Sequence, residues 1–262
     1  MQVPSSSESH LVLIPSYNTG EKVFGTVEAA LAVWQPVWVV VDGSDDGTAE
    51  KLQALAETTD GLEVSVLPEN SGKGAAVLHG IREASRRGYS HALLMDADGQ
   101  HPSASIEEYM EASKAAPDQL ILGKPVFDES APAIRVNGRK VSNFWANLET
   151  LWAGIGDSLF GMRVYPVEHL KAVMEGTRWA RRFDFDPEVA VRLVWRGLKP
   201  LNIPTPVRYF SEEEGGVSQF RYLRDNTLLT WMHLRLFLGF LIRIPMLVFR
   251  KLKKRPASST NV

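Results

Sequence analysis

The stretch 91-HALLMDADGQHP-102 decides the fold, because an apolar run changes there within a few residues into a polar cluster. The run ends in two aspartates one residue apart, Asp96 and Asp98, and these are followed by Gln100 and His101. A continuous apolar run is typical of a strand that is buried on both faces of a parallel sheet. Paired carboxylates at such a strand end indicate either a solvated turn or a site for a hard divalent cation.

Four more apolar runs resemble this one and alternate with helical patterns. The predicted strands are HLVLIP (10–15), VWVVVD (37–42), LEVSVL (62–67), HALLMD (91–96) and QLILG (119–123), and the predicted helices lie near 21–33, 48–59, 74–87 and 104–116. This alternation predicts an α/β fold with a mostly parallel central sheet flanked by helices. Ligands of such sheets bind beyond the carboxyl ends of the strands. The polar segments 16–18, 42–46 and 96–101 are all predicted to lie at that edge, so they predict one site.

The region that follows is less regular. We expect 123–140 to form a mobile loop of the kind that closes over substrates, because it mixes proline, glycine and charge. A helix is predicted over 141–153 and a further α/β section over 186–210.

Composition limits the function classes. The chain of 262 residues is 44% hydrophobic and contains no cysteine, which excludes disulfides and thiolate metal sites. The N-terminus lacks the basic and apolar regions of a signal peptide. The segment 217–255 carries nine basic residues and one acidic residue, a formal charge of +8, which leaves −10 for the rest of the −2 chain. A basic tail of this kind binds nucleic acid or an anionic membrane surface, and no nucleic-acid recognition motif accompanies it.

Two other stretches lie near the predicted site. In VVVDGSDDGTAEKL (39–52), Asp42 ends a strand where a nucleotide base can be read. In NSGKGAAVLHG (70–80), Lys73 lies at a helix start and can face a phosphate, although the stretch fails the Walker pattern at Leu67 and Gly74. A phosphatase function is disfavoured, because Gln100 stands where that motif requires a hydroxyl residue.

The motifs together resemble those of family 2 glycosyltransferases, in particular the dolichol- and polyprenyl-phosphate sugar transferases. The resemblance covers about residues 10–220 and rests on LIPSYN (13–18), VDGSDDGT (41–48), NSGKGAAVLHG (70–80), DADGQHP (96–102), DSLFGMRVYP (157–166) and GGVSQF (215–220). It implies a GT-A fold and a nucleotide-sugar donor held through Mg²⁺ or Mn²⁺. It also implies that the nucleoside is bound by Pro15, Tyr17 and Asp42, and the metal and diphosphate by Asp96, Asp98 and Gln100.

The chain departs from the family pattern at two places. Val41 replaces the first of two aspartates often found in the second motif, and FSEEEGG (210–216) replaces a basic residue before the last motif. Positive charge for the leaving diphosphate must then come from elsewhere, and Arg163 and Arg208 are the candidates. Arg135 and Arg139, in the predicted loop, are candidates for an anionic acceptor.

The need for a catalytic base depends on the acceptor. A lipid phosphate is already ionised, whereas a hydroxyl acceptor requires a carboxylate to take its proton. Asp157 is the first candidate for that base and Glu188 the second; the alternatives are a loop cap and an ordinary helix residue. Two other functions stay open, a sugar-phosphate nucleotidyltransferase and a non-catalytic nucleotide-sugar-binding membrane adaptor.

The stretch 228–255 is predicted to be helical and to lie in a membrane interface. At 100° per residue, one basic stripe contains Arg235, Arg243, Arg250 and Lys254, and the opposite side contains Leu234, Phe237, Leu238 and Leu241. We expect the basic side chains to reach anionic headgroups; the alternative is a helix packed on the core. The predicted organisation is a catalytic domain at 9–216, amphipathic helices at 217–255 and a disordered tail at 256–262. The predicted location is cytoplasmic, peripheral on the inner face of the cell membrane, near a lipid-linked acceptor.

Overall fold

A computed structural model describes residues 4–127, 133–207 and 222–253. The described residues form nine strands: β1 (Ser5–Ser6), β2 (His10–Ser16), β3 (Trp34–Gln35), β4 (Val37–Asp42), β5 (Leu62–Leu67), β6 (His91–Leu94), β7 (Gln119–Phe127), β8 (Arg163–Pro166) and β9 (Lys199–Val207). They also form eight α-helices: α1 (Lys22–Leu31), α2 (Thr48–Thr58), α3 (Lys73–Arg86), α4 (Ile106–Ala115), α5 (Ala133–Glu149), α6 (Val167–Glu175), α7 (Phe185–Arg196) and α8 (Tyr222–Lys253).

Seven strands form the central sheet in the order β5-β4-β2-β6-β8-β7-β9. All neighbours pair in parallel except at β8, which is antiparallel to both β6 and β7. Each of the five predicted apolar runs is a strand of this sheet, so the prediction of a mostly parallel sheet is confirmed. Strand β8 was not predicted, because its four residues show no apolar run or alternation.

Helices cover both faces of the sheet, as the apolar runs require. Along β2, Leu11 and Leu13 pack into one core cluster, which includes residues of α3, α5, α6, α7 and α8. Val12 and Ile14 pack into the other, with residues of α1, α2 and α4. Successive side chains of a strand point to opposite faces, and both faces are apolar here. The sheet is therefore buried between two layers of helices.

The middle of the chain is more regular than its composition indicates. Strand β7 continues to Phe127 and α5 begins at Ala133, so the prediction of a loop over 123–140 is wrong for both ends of that segment. Strand β7 pairs with β9 as far as Phe127. This pairing supplies backbone hydrogen-bond partners that composition does not reveal. The predicted helix at 141–153 is the C-terminal part of α5 up to Glu149, and its last four residues are not helical. The predicted domain boundary at 216 and the predicted tail at 256–262 lie outside the described residues.

Helix α8 is one helix of 32 residues that continues through Pro245, where several helices were expected. Buried side chains on one side of it, among them Met232, Leu236 and Phe240, pack into the core cluster of α5 and α7. The segment Arg224–Lys253 contains an 18-residue window with a mean hydropathy of 1.7, so by length and composition this helix is also long and apolar enough to cross a membrane.

The basic stripe of α8 faces the protein, which corrects the expectation that it reaches lipid headgroups. Arg235 binds Glu188, with 3.0 Å between Nη2 and Oε2. Arg243 lies 4.5 Å from the ring centre of Trp195, and Arg250 donates to the carbonyl oxygen of Trp195 at 2.6 Å. Lys254 lies outside the described residues. The outward face is apolar instead, and its exposed side chains are Trp231, Leu234, Leu238, Leu241, Ile242, Val248, Phe249 and Leu252.

Candidate active site at the carboxyl edge of the sheet

The loops that follow β2 and β4 are joined directly by hydrogen bonds. Asn18 Nδ2 donates to Asp45 Oδ1 at 2.7 Å, and the backbone N–H of Asp45 donates back to Asn18 Oδ1 at 3.0 Å. Of the predicted nucleoside contacts, Pro15 lies near the end of β2 and Tyr17 on the loop that follows it, and both are partly exposed. The polar segments at the strand ends therefore form one continuous rim.

Asp42 holds the loop that precedes α3. Its Oδ1 accepts the backbone N–H of Ser71 at 2.9 Å, its Oδ2 accepts that of Gly72 at 2.7 Å, and the residue is 2% exposed. Gly43 has a φ of +62°, and a Cβ there would lie 2.3 Å from the backbone carbon of Glu69, so the turn requires glycine. Both carboxylate oxygens of Asp42 thus bind backbone, and its contact to a base remains a prediction.

Lys73, the first residue of α3, lies between two carboxylates. Its Nζ is 2.7 Å from Asp96 Oδ1 and 2.7 Å from Asp186 Oδ2. Burial alone would lower the pKa of Lys73, but the charges of Asp186 and Asp96 overcome it and raise the pKa above its usual range. The same ammonium group overcomes the effect of burial on Asp96, whose pKa is lowered. Lys73 and Asp96 are therefore both ionised at neutral pH.

Asp96 is also held from two other sides. His101 Nδ1 accepts the backbone N–H of Asp96 at 3.1 Å, and His101 Nε2 is 3.9 Å from Asp96 Oδ2. Burial lowers the pKa of His101, so the ring is neutral and its proton sits on Nε2, facing the carboxylate. A Cβ at Gly161 would lie 2.2 Å from Asp96 Oδ2, so only glycine allows the backbone to approach this closely.

The carboxylates at this strand end fit a divalent cation. Burial and the nearby charge of Asp96 raise the pKa of Asp98 above its usual range. Asp186 Oδ1 is buried and has no hydrogen-bond partner among the residues that the structure describes. Within the described ranges no group of three or more His, Cys, Asp or Glu side chains could hold a metal. A Mg²⁺ or Mn²⁺ ion here would use one or two protein carboxylates plus substrate oxygens, which is the usual mode of Mg²⁺. Gln100 is half-buried beside Asp98 and donates its backbone N–H to Asp98 Oδ1 at 3.0 Å.

A cavity of about 470 Å³ adjoins Asp98 on the α1 side. Its lining includes Lys22, Thr26, Met95 and His101. Asp98 thus borders a space large enough for part of a small ligand.

The predicted base Asp157 pairs with the predicted anion-binding residue Arg139. Arg139 Nη1 lies 2.8 Å from Asp157 Oδ1, which also accepts the backbone N–H of Leu159. Asp157 Oδ2 accepts from Asn143 Nδ2 at 3.2 Å, and Asp157 is only 3% exposed. The structure therefore brings these two predicted residues together, one charge neutralising the other. The side chain of Arg135 and the whole of Arg208 lie outside the described residues.

Glu188, the second predicted base, is fully buried between two arginines. Arg192 Nη2 is 2.7 Å from its Oε1 and Arg235 Nη2 is 3.0 Å from its Oε2. Its burial and these two ion pairs leave neither carboxylate oxygen free to contact an acceptor hydroxyl. The geometry favours an ion-pair role for Glu188, one that fastens α8 to α7.

Arg163 is bound within the protein, and its compensation of the leaving diphosphate stays a prediction. Its side chain is fully buried. Its Nε donates to the carbonyl oxygen of Phe160 at 2.7 Å, and its Nη1 donates to that of Asp186 at 2.6 Å. Arg163 thus holds the backbone that carries Asp186 and the segment before β8.

Comparison with known proteins identifies the family. The family model described as glycosyl transferase family 2 matches residues 11–173. The chain belongs to this family. Among curated relatives, the polyprenol monophosphomannose synthase of Mycolicibacterium smegmatis is 31% identical over 80% of this chain and 80% of its own length. The undecaprenyl-phosphate mannosyltransferase of Micrococcus luteus is 27% identical over 80% of this chain and 86% of its own.

Solved structures support the fold. Glucosyl-3-phosphoglycerate synthase from Mycobacterium tuberculosis, in complex with Mn²⁺, uridine diphosphate and glucosyl-3-phosphoglycerate, superimposes with a TM-score of 0.63. The match covers 88% of this chain and 79% of that one at 17% identity. The GT-A fold and the family resemblance expected from the motifs are confirmed, and the protein is a glycosyltransferase.

Two residues of the site were given no role of their own by sequence reasoning. Asp186 pairs with Lys73 although 113 positions separate them, and it lies two residues from Glu188, which was selected instead. His101 was visible beside the paired aspartates, but its contact with the Asp96 backbone depends on the turn geometry. The clearest available signal was the DADGQH stretch itself.

Proposed function

We propose that this glycosyltransferase moves a mannosyl group from a nucleotide-sugar onto the phosphate of a polyprenyl-phosphate acceptor, with inversion at the anomeric carbon. The observation that carries the proposal is the Asp96–Asp98 pair with Lys73 at the carboxyl edge of the sheet. The relatives named as polyprenol and undecaprenyl-phosphate mannosyltransferases support the choice of sugar and acceptor.

The donor would be held by charge at its diphosphate. Asp96 and Asp98, with Gln100, would hold Mg²⁺ or Mn²⁺, and the ion would neutralise the charge that develops as the nucleoside diphosphate leaves. Lys73 adds a fixed positive charge next to Asp96. Pro15, Tyr17 and the loop held by Asp42 would line the nucleoside. That these residues lie on one rim supports this assignment.

A phosphate acceptor agrees better with the geometry than a hydroxyl acceptor. Both oxygens of Asp157 accept hydrogen bonds, and Arg139 neutralises the carboxylate. Both oxygens are therefore already engaged within the protein. We infer that Asp157 orients Arg139 and that Arg139 binds the acceptor phosphate, with Arg135 and Arg208 as further candidates. A phosphate needs no base.

The enzyme would work at the cytosolic face of a membrane. The exposed apolar face of α8 is continuous over about six turns, from Trp231 to Leu252, which is typical of a helix that lies in the interface. Because the arginines of the stripe bind the protein, attachment would rest on apolar side chains more than on anionic lipids.

Transfer from radiolabelled GDP-mannose to undecaprenyl phosphate in detergent tests this function. We expect a lipid-linked product with Mn²⁺ or Mg²⁺, none with EDTA, and none with Asp98→Asn. UDP-glucose with the same acceptor tests the sugar. Metal-dependent donor binding without any product would support the membrane-adaptor alternative. Formation of a nucleotide-sugar from a sugar phosphate and a nucleoside triphosphate would support the nucleotidyltransferase alternative.

A further inference from the structure

A chain of buried hydrogen bonds connects α8 to Asp157. It begins at Glu149, whose Oε1 is 3.0 Å from His233 Nδ1. It continues from His233 Nε2 to Ser142 Oγ at 3.1 Å and from Ser142 Oγ to Ser158 Oγ at 3.0 Å. Asn143 completes it: its Oδ1 accepts both the hydroxyl and the backbone N–H of Ser158, and its Nδ2 donates to Asp157.

The protons available on these side chains determine which group donates in each hydrogen bond of this chain. The amide of Asn143 must point its N–H toward the carboxylate of Asp157, so its oxygen takes the only hydroxyl proton of Ser158. Ser158 Oγ then has lone pairs alone to offer, and Ser142 must donate to it. Ser142 in turn accepts, so His233 Nε2 carries a proton and is the donor.

The other end of the chain agrees with this direction. With a proton on Nε2, His233 shares a further proton at Nδ1 with Glu149 Oε1. Burial raises the pKa of Glu149, which favours keeping that proton within the pair. The contacts of Ser142, His233 and Glu149 follow the order of a hydrolytic triad, but Ser142 is 6% exposed and its oxygen already binds a second hydroxyl. The arrangement therefore suits support of a neighbour, not attack on a substrate.

Burial makes the links from Glu149 to Ser158 consequential. Glu149 and Ser158 are fully buried, and His233 is 8% exposed. In such surroundings a hydrogen bond left unmade costs more than in water, so removal of one donor forces its neighbours to rearrange. The residue at the end of the chain is Asp157, which holds Arg139 at 2.8 Å.

We propose that His233 is a positioning residue of the acceptor end of the site: through Ser142, Ser158 and Asn143 it fixes Asp157 and thereby Arg139, so that the docking of α8 on α5 sets the geometry for the acceptor phosphate. This rests on the proposed function, because it takes Arg139 to be the group that binds the acceptor. It assigns α8 a part in substrate binding beyond attachment to the membrane.

Two substitutions of His233 separate this role from simple support of α8. His233→Gln keeps an N–H where Nε2 donates to Ser142, whereas His233→Asn keeps a polar group where Nδ1 meets Glu149. We expect His233→Asn and Ser142→Ala to raise KM for undecaprenyl phosphate at least about tenfold, since small misplacements of a binding group have effects of this order. KM for the donor should stay unchanged, and His233→Gln should retain an acceptor KM within about threefold of wild type.

Ser113→Ala is the matched control. Ser113 is another buried serine whose Oγ lies 3.1 Å from a histidine Nε2, that of His10, at the opposite edge of the sheet. The Ser113→Ala variant should lose about as much stability as Ser142→Ala, and its KM for the acceptor should stay unchanged. If His233→Gln lost acceptor affinity and His233→Asn kept it, the helix would act only through Glu149 and the proposal would be overturned.

A binding measurement distinguishes failure of this proposal from failure of the proposed function. Geranyl phosphate, a short soluble prenyl monophosphate, is titrated calorimetrically into wild type, His233→Asn and His233→Gln. Weaker binding by His233→Asn alone, without sugar transfer by wild type, would support the positioning role and contradict the enzymatic proposal. Transfer by wild type with equal acceptor KM in all variants would contradict the positioning role alone. If wild type did not bind geranyl phosphate, the positioning role would be overturned as well.

Discussion

We expect the protein to lose stability in mild acid because of two histidines at the amino end of the sheet, opposite the site. His10 and His91 are the first residues of β2 and β6, are paired in register, and stack with ring centres 4.6 Å apart. His10 is 4% exposed and hydrogen-bonds Ser9 through Nδ1 and Ser113 through Nε2. A second proton on its ring would break one of these contacts if that partner donates, and it would place a positive charge beside the ring of His91.

The magnitude follows from the pKa of His10. Burial, and then the proximity of His91, lower it from 6.5 to about 4. Between these values the unfolded chain binds a proton that the folded protein does not, so stability is present above pH 6.5 and is lost as the pH falls toward 4. At about 1.36 kcal/mol per pH unit, the loss between pH 7 and pH 5 is roughly 2 kcal/mol. Burial lowers the pKa of His91 too, which adds a loss of the same sign.

Urea unfolding at pH 7 and pH 5 measures this loss in wild type, His10→Gln and His79→Gln. Glutamine at position 10 can still hydrogen-bond but cannot titrate, so we expect that variant to lose about 2 kcal/mol less than wild type over this range. His79 is an exposed histidine of α3, and its replacement should leave the pH dependence unchanged. An equal loss in His10→Gln and wild type would show that His10 does not stay neutral in the folded protein.

Three further predictions concern the site and α8. Asp98→Asn should abolish transfer and the Mn²⁺-dependent thermal stabilisation by nucleotide. It should not lower the melting temperature of the free protein, because burial and a neighbouring carboxylate already oppose the charge of Asp98. Glu188→Gln should lower the free energy of unfolding in urea by about 3 kcal/mol, because it removes the buried negative charge that two arginines share. Leu238→Glu with Ile242→Glu should abolish co-sedimentation with vesicles, and wild-type binding should change less than about threefold between roughly 0.1 and 0.5 M salt, because apolar contacts are little screened. A steep fall of wild-type binding with salt, or dimerisation that the double substitution removes, would contradict the interfacial assignment.

Much of the sheet and its rim could be predicted from the sequence because those signals are local. A strand buried on both faces is apolar throughout, so each of the five runs is visible without knowledge of its partners. The carboxyl ends of parallel strands meet at one edge, which is why Asp42 and Asp96 could be placed on the same rim. The family motifs lie almost entirely within these stretches.

Contacts between distant segments could not be predicted in the same way. Arg163 binds the carbonyl of Asp186, which is 23 positions away, and Asp42 binds amides 29 and 30 positions away. Backbone N–H and C=O groups are common to nearly all residues. A sequence therefore cannot show that such a group binds a particular guanidinium or carboxylate. Both residues were assigned to substrate for that reason.

Helix α8 shows the same limit for a whole surface. Its period of 100° per residue correctly separates arginines from leucines, but it does not state which face meets the protein. Which face of α8 turns inward depends on the partners in the rest of the protein, namely Glu188 for Arg235 and the backbone carbonyl of Trp195 for Arg250. These contacts orient the helix, and because they bind its charged face inward, they leave Leu238 and Ile242 exposed. The arginines that suggested attachment to headgroups thus serve the membrane assignment indirectly, by turning the apolar face outward.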